Sequence, residues 1–217
     1  RLERFAVESR SLKPPNGVST KNISFLSANM FYWRVSYTDN RTRMWCKKIA
    51  DNLWRNQPEG PEAKFIGAQY DRGWNFHRTI DTVRLSTHWL FNGTGLNDGD
   101  PLGFGMDTAN PGILAAEVDR TYPGASPWNV QILTSAWVDS TNLWQDSGYY
   151  GSVLHESVFY VDTTSNARVF GAGPQLWSSG LWSYDAQDSA RFRTFATNLM
   201  DHFSGKKYIG DIWVSST

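Results

Sequence analysis

Short apolar runs set off by turn residues dominate the chain. Ile23, Phe25 and Leu26 follow a lead-in containing Pro14, Pro15 and Gly17, so residues 22–27 predict a short buried strand. A second strand is predicted over 31–37. Residues 44–48 alternate apolar and other side chains about a strand axis, and after Pro58 and Pro61 the apolar stretch 65–68 reads as one more strand. Between Gly93 and Pro127 lie seven glycines and four prolines, which predicts a long surface loop system. Strands follow at 130–137 and 157–161, and a turn over 162–166 leads into 167–171 as a hairpin. One helix is predicted over 189–203. Phe192, Phe195, Leu199 and Phe203 share a face, with Ala196 and Met200 beside them; Asp188 is the N-terminal cap and Gly205 the stop. Early strands, central loops and one late amphipathic helix predict a mixed α and β domain with a sheet covered on at least one face.

Composition narrows the partners. In 217 residues, 21 Lys and Arg balance 21 Asp and Glu, so no long-range field gathers phosphate backbones or anionic lipid. Nucleic acid and membrane are therefore not expected as partners. No apolar run is long enough to span a bilayer. The aromatic load, 11 Trp, 9 Tyr and 12 Phe, suits an aromatic core or an aromatic-walled binding site. The triplets beginning at Asn22, Asn40 and Asn92 are glycosylation sequons and favour a secreted protein.

Nucleophile motifs are missing. A single cysteine, Cys46, excludes an internal disulfide framework, and its alternating, turn-free neighbourhood reads as a buried structural thiol. No Gly-x-Ser-x-Gly elbow is present. His77, His88, His155 and His202 fall in no metal-ligand spacing, and His155-Glu156 reads as a solvated surface pair. His88-Trp89 precedes the loop system and is placed to line a cleft or the core. Among Asp98, Asp100, Glu117 and Asp119, the first two could hold a hard cation with nearby carbonyls, but turn chemistry explains them more simply. Glu117 lies between small apolar residues whose burial would lift its pKa toward acid or base work, against the plainer reading of a salt-bridged edge residue. Lys47 and Lys48 point to opposite faces of a strand, so one of them turns inward. Asn29 ends the first strand, where an amide donates to a ligand carbonyl or caps a turn.

Several ordered motifs resemble a known family. The run from Phe25 to Arg34, then Met44-Trp45-Cys46-Lys47-Lys48, Ile66-Gly67-Ala68-Gln69-Tyr70, the run from His88 to Asp100, Glu117-Val118-Asp119 and Phe170-Gly171-Ala172-Gly173 are similar to the C-terminal domain of the N,N-dimethylformamidase large (beta) subunit family. The likeness covers about residues 20–205. It implies an α/β fold, a class I glutamine-amidotransferase-like three-layer sheet without the cysteine nucleophile, incomplete on its N-terminal side here. The whole of 1–217 is then a single domain, with 1–20 a lead-in that follows a cleavage.

The resemblance also implies an activity: hydrolysis of a small amide at a mononuclear iron held by two tyrosines and a glutamate. Asn29, Lys48 and Glu117 would face that iron as oxyanion donor, charge stabiliser and acid or base, with Phe31, His88 and Trp89 as substrate contacts. The family's iron-ligand segment is not present in this sequence. The expectation is therefore no cofactor in this chain, iron in the complete assembly, and a partner that is an N-terminal fragment of the same precursor or a second copy. The alternative is a secreted, non-catalytic binding module, a lectin or toxin component, presenting Trp128, Trp137, Trp144 or Trp177 to a glycan.

Overall fold

The computed structural model describes residues 22–74, 79–104, 112–114, 116–138, 153–182, 186–204, 206–209 and 212–215. His77, Trp144 and Gly205 lie outside the described residues. The strands are β1 (Ile23–Phe25), β2 (Val35–Thr38), β3 (Arg43–Cys46), β4 (Gln69–Trp74), β5 (Ile80–Val83) and β6 (Pro101–Phe104). They continue as β7 (Ala116–Arg120), β8 (Gln131–Val138), β9 (Val153–Val161), β10 (Arg168–Gly171), β11 (Lys206–Ile209) and β12 (Ile212–Ser215). The helices are α1 (Ala63–Ile66) and α2 (Ala186–Ser204).

Six strands form one mixed sheet in the order β1-β10-β9-β8-β5-β6. β1 runs parallel to β10, and the other neighbours are antiparallel. Pairs β4–β7, β2–β3 and β11–β12 stand beside it. The strand period of two sends alternate side chains to opposite faces. Phe159 and Phe170 join the larger core with Leu133, Val83, Phe192, Phe195 and Leu199, beneath α2 and the turn Trp89–Phe91. Their neighbours Tyr160 and Val169 join Phe25 and Ile66 in a smaller core on the other face, against which Phe31 and Val130 pack.

The sheet is thus covered on both faces by a mixed α and β domain. The strands expected over 22–27 and 130–137, the turn into 167–171 and the late helix are all present. Four expectations change. Residues 65–68 straddle the end of α1, because Pro61 precedes it and Gly67 at φ 94° ends it in the left-handed region. The loop system of 93–127 contains β6 and β7, whose strand pairing overrides their glycines and prolines. Residues 31–37 contribute only Val35 onward to β2, since Asn29 and Phe31 have positive φ and turn the chain first. In α2, Asp188 lies inside the first turn rather than at the cap, and Met200 is exposed.

The β2–β3 ribbon is exposed along both strands. Its register places Val35, Cys46, Tyr37 and Met44 on one face. Cys46 is exposed, not buried, because nothing among the described residues covers that face.

Candidate functional site

β1 delivers the chain to a tight turn. Asn29 adopts φ 58°, a left-handed conformation that Asn tolerates better than most residues. From there its backbone N–H donates to Asp119 Oδ1 at 2.9 Å. Asp119 lies on β7 opposite Tyr70 of β4, and Glu117, two residues earlier on the same face of β7, lies opposite Gly73. The Asp119 N–H donates to the Gly173 carbonyl at 2.8 Å, and the Gln175 N–H donates to the Glu117 carbonyl at 2.9 Å. β7 is thereby pinned against the segment that follows β10.

A guanidinium completes the cluster. The Trp54 N–H donates to the Tyr32 carbonyl, which holds the short helical turn carrying Arg55 beside Tyr32. Arg55 lies 5.0 Å over the Tyr32 ring, donates to the Tyr70 carbonyl at 3.0 Å, and forks onto Glu62 Oε1. Tyr32 meets Tyr70 edge to face, with ring centroids 4.9 Å apart. Glu62 is fully buried, and its Oε2 has no partner among the described residues; Asn29 Oδ1 is also buried and unpaired.

Three carboxyl groups and one guanidinium thus share a largely dry region. Burial pushes the Asp119 carboxyl well above its ordinary range, and the charges of Glu62 and Glu117 add to that, against the Asn29 N–H and Arg55. Burial also raises Glu62, with Arg55 opposing. Tyr70 is raised by burial and by the charge of Glu117. Asp119 and Glu62 are buried, so a raised proton affinity there acts on neighbouring groups, and Glu117, which is only half-buried, is the carboxyl of the three that a substrate can meet.

The sequence-predicted residues are not all brought together. Asn29 and Glu117 converge on Asp119. Lys48 is exposed beyond the end of β3, as is Lys47, so the alternation argument does not reach either side chain. Lys48 makes no hydrogen bond or ion pair to Asn29 or Glu117 among the described residues. Phe31 packs on Phe25 and Trp54 at 5.5 and 6.3 Å between ring centroids, on the smaller-core face. His88 and Trp89 lie against Phe159 on the opposite face, and Trp89 stacks on His202 at 4.0 Å. Burial lowers the His88 pKa to about 4, so this ring is neutral. Glu117 forms no salt bridge among the described residues, contrary to the edge-residue reading. Asp98 and Asp100 accept backbone N–H groups of Ser86 and Asn97, which is turn chemistry as expected. Arg55, Glu62 and Tyr70 were not singled out by the sequence; the one available signal was a Glu flanked by Pro61 and the apolar run of α1.

A second polar cluster corrects the reading of His155-Glu156, both of which are buried. Their strand, β9, lies between β8 and β10, so the pair is interior. Glu156 Oε2 accepts the Thr121 N–H and hydroxyl at 2.7 and 2.6 Å. His155 Nε2 lies 3.5 Å from both Asp81 Oδ1 and Ser157 Oγ; Thr134 donates to Asp81 Oδ2, and Ser157 to the Ala172 carbonyl. The composition is that of a Ser-His-Asp triad, but the geometry is not. Acid and hydroxyl meet the same ring nitrogen, whereas nucleophile activation needs them on opposite nitrogens. With all three side chains buried, no substrate reaches the hydroxyl. Among the described residues no three His, Cys, Asp or Glu side chains are grouped to hold a metal ion.

No curated protein matches the sequence. The profile of the family described as N,N-dimethylformamidase beta subunit-like, C-terminal, matches residues 16–189, a span that includes β1 through the start of α2 and every residue of the acidic cluster. The chain therefore belongs to the N,N-dimethylformamidase beta subunit-like family.

Proposed function

We propose that this chain supplies one wall of an amide-hydrolysing site, in the manner its family's description implies, and that it acts on a small amide only together with polypeptide outside the described residues. The observation that carries this reading is the convergence of Asn29 and Glu117 on the buried Asp119 carboxyl. In this reading the Asn29 side-chain amide donates to the developing oxyanion, since its backbone N–H is already committed to Asp119. Glu117 is the acid or base at the reacting centre, and Asp119, held by Asn29 and with its proton affinity raised by burial, limits the negative charge that builds beside it. Lys48 enters as a charge stabiliser only when a partner folds the exposed ribbon inward.

The described residues do not furnish a set of iron ligands, so no step here passes through a metal; the iron and its ligands are assigned to the partner polypeptide. The open apolar face of the β2–β3 ribbon supports a partner, which in this proposal is the N-terminal part of the same precursor. The class I glutamine-amidotransferase-like architecture belongs to the same proposal, supported by a mixed sheet covered on both faces.

The test is to purify the chain with whatever accompanies it, measure iron per chain, and assay N,N-dimethylformamide hydrolysis. Hydrolysis is expected to fall at least a hundredfold in Glu117→Gln with the fold retained. An assembly that is metal-free and inert ends the proposal.

A further inference from the structure

A recess on the smaller-core face lies apart from the acidic cluster, none of whose side chains lines it. It encloses about 250 Å³, just under the ~300–1,000 Å³ usual for drug-sized ligands. Three segments build it: Lys64 and Phe65 of α1, residues 125–129 before β8, and Tyr160 to Thr163 at the end of β9. The floor is fixed. Tyr160 and Phe65 are buried, and the Tyr160 hydroxyl donates to the Phe65 carbonyl at 2.7 Å.

At the rim Trp128 is 87% exposed, more than any other large apolar side chain among the described residues. Its position is set from both sides of the chain. The Val130 N–H donates to the Pro127 carbonyl, and Asn129 Nδ2 donates to the Val161 carbonyl at 2.7 Å. An indole left in water this way costs free energy that the free domain does not recover.

Polar atoms without partners surround it. Asn129 spends its amide nitrogen on Val161 and leaves Oδ1 open among the described residues. Asp162 Oδ1 accepts the N–H groups of Thr164 and Ser165, leaving Oδ2 open among the described residues. Lys64 forms no ion pair among them, and Thr163 is exposed at the same rim.

We infer that this recess is a subsite for one neutral pyranose ring, stacked by its C–H face on Trp128 and hydrogen-bonded through its hydroxyls to the groups around it. An exposed indole beside a rim of donors and acceptors matches a ligand with one apolar face and a polar edge. A flat aromatic ligand is not favoured, because among the lining residues Trp128 is the one exposed aromatic side chain, with no second one to close a slot. An anion meets the Asp162 carboxylate, and a cation meets the Lys64 ammonium, so the complementary ring carries no net charge. Of the three described tryptophans among those the sequence offered, Trp128 alone lines this recess: Trp177 is buried in the larger core, and Trp137, exposed on β8, lines no part of it. This inference does not rest on the amidase reading.

Saturation-transfer NMR on the full chain tests it, with methyl α-glucopyranoside, methyl α-mannopyranoside and methyl β-galactopyranoside as probes and with glucuronate and glucosamine as charged comparators. Saturable binding of at least one neutral probe is expected, weakened at least tenfold in Trp128→Ala with an unchanged circular dichroism spectrum. Thr163→Ala, at an exposed rim position, is expected to weaken it severalfold. Absence of saturation with every neutral probe overturns the inference. So does undiminished binding by Trp128→Ala, or tighter binding of a charged comparator than of the neutral sugars.

Discussion

Two polar clusters are buried in this domain, and they solve the same problem differently. Around His155, one carboxylate, one imidazole and two hydroxyls are contained within the sheet itself, on β5, β8 and β9. Around Asp119, three carboxyl groups face a single guanidinium, and the elements that carry them are a turn, two short helices and the β4–β7 pair outside the main sheet. The first cluster holds a single carboxyl group and is closed off from solvent. The second carries excess acid, and there burial first, with the charges of Glu62 and Glu117 added to it, raises the proton affinity of Asp119. A catalytic alphabet sealed within the main sheet is structure; an excess of acids carried on elements outside that sheet is the better candidate for chemistry.

The largest effect is expected where the two clusters touch. Gly173 has φ 89°, and a Cβ there would overlap the His155 ring and the Glu156 carbonyl, while the Gly173 carbonyl accepts the Asp119 N–H. Gly173→Ala combines left-handed strain with a clash against backbone, so we expect more than about 4 kcal/mol of destabilisation in urea unfolding. A loss below about 1 kcal/mol would show the two clusters to be independent.

Next comes the pair that holds the acidic cluster together. Arg55→Met leaves the Glu62 carboxylate, fully buried, without its cation, and about 3 kcal/mol of stability is expected to go. The double variant R55M/E62M removes both charges and should recover most of it. If the single variant costs no more than the double, the pair does not set the charge balance of this site.

How much of this could be read beforehand follows from which signals are local. α2 and strands β1, β8 and β10 were legible because Phe192, Phe195 and Leu199, or Ile23 and Phe25, repeat at the helix or strand period. α1 was not, since four residues are too few for a period and only Pro61 and Gly67 mark its ends. β6 and β7 were hidden because their pairing partners, β5 and β4, are distant in sequence. Of the residues around Asp119, the sequence points to Asn29 and Glu117 as site residues, partly through the family likeness; Asp119 is only one of the carboxylates it offers, and Lys48, offered beside them, is exposed elsewhere. Arg55 and Glu62 were not singled out, because a buried ion pair seven residues apart looks like any solvated pair until the fold covers it. The same blindness runs the other way: His155-Glu156 looked like surface, and Cys46 looked like core.

The smallest expected effect is also the one that separates the clusters most cleanly. Asp119→Asn keeps an oxygen to accept the Asn29 N–H but cannot lose a proton. In the parent chain the Asp119 carboxyl is raised in the folded state, so its stabilising contribution is complete below the ordinary carboxylate pKa near 3.9 and is lost as pH rises through the folded value. The parent should therefore lose stability between mildly acidic and alkaline pH, and Asp119→Asn should lose less, the remainder belonging to Glu62, which is raised in the same direction. Urea midpoints measured across that range give the two slopes. Equal slopes would mean that Asp119 is ionised in the folded protein, and the Asn29–Glu117–Asp119 cluster would then lack the held proton on which its chemistry depends.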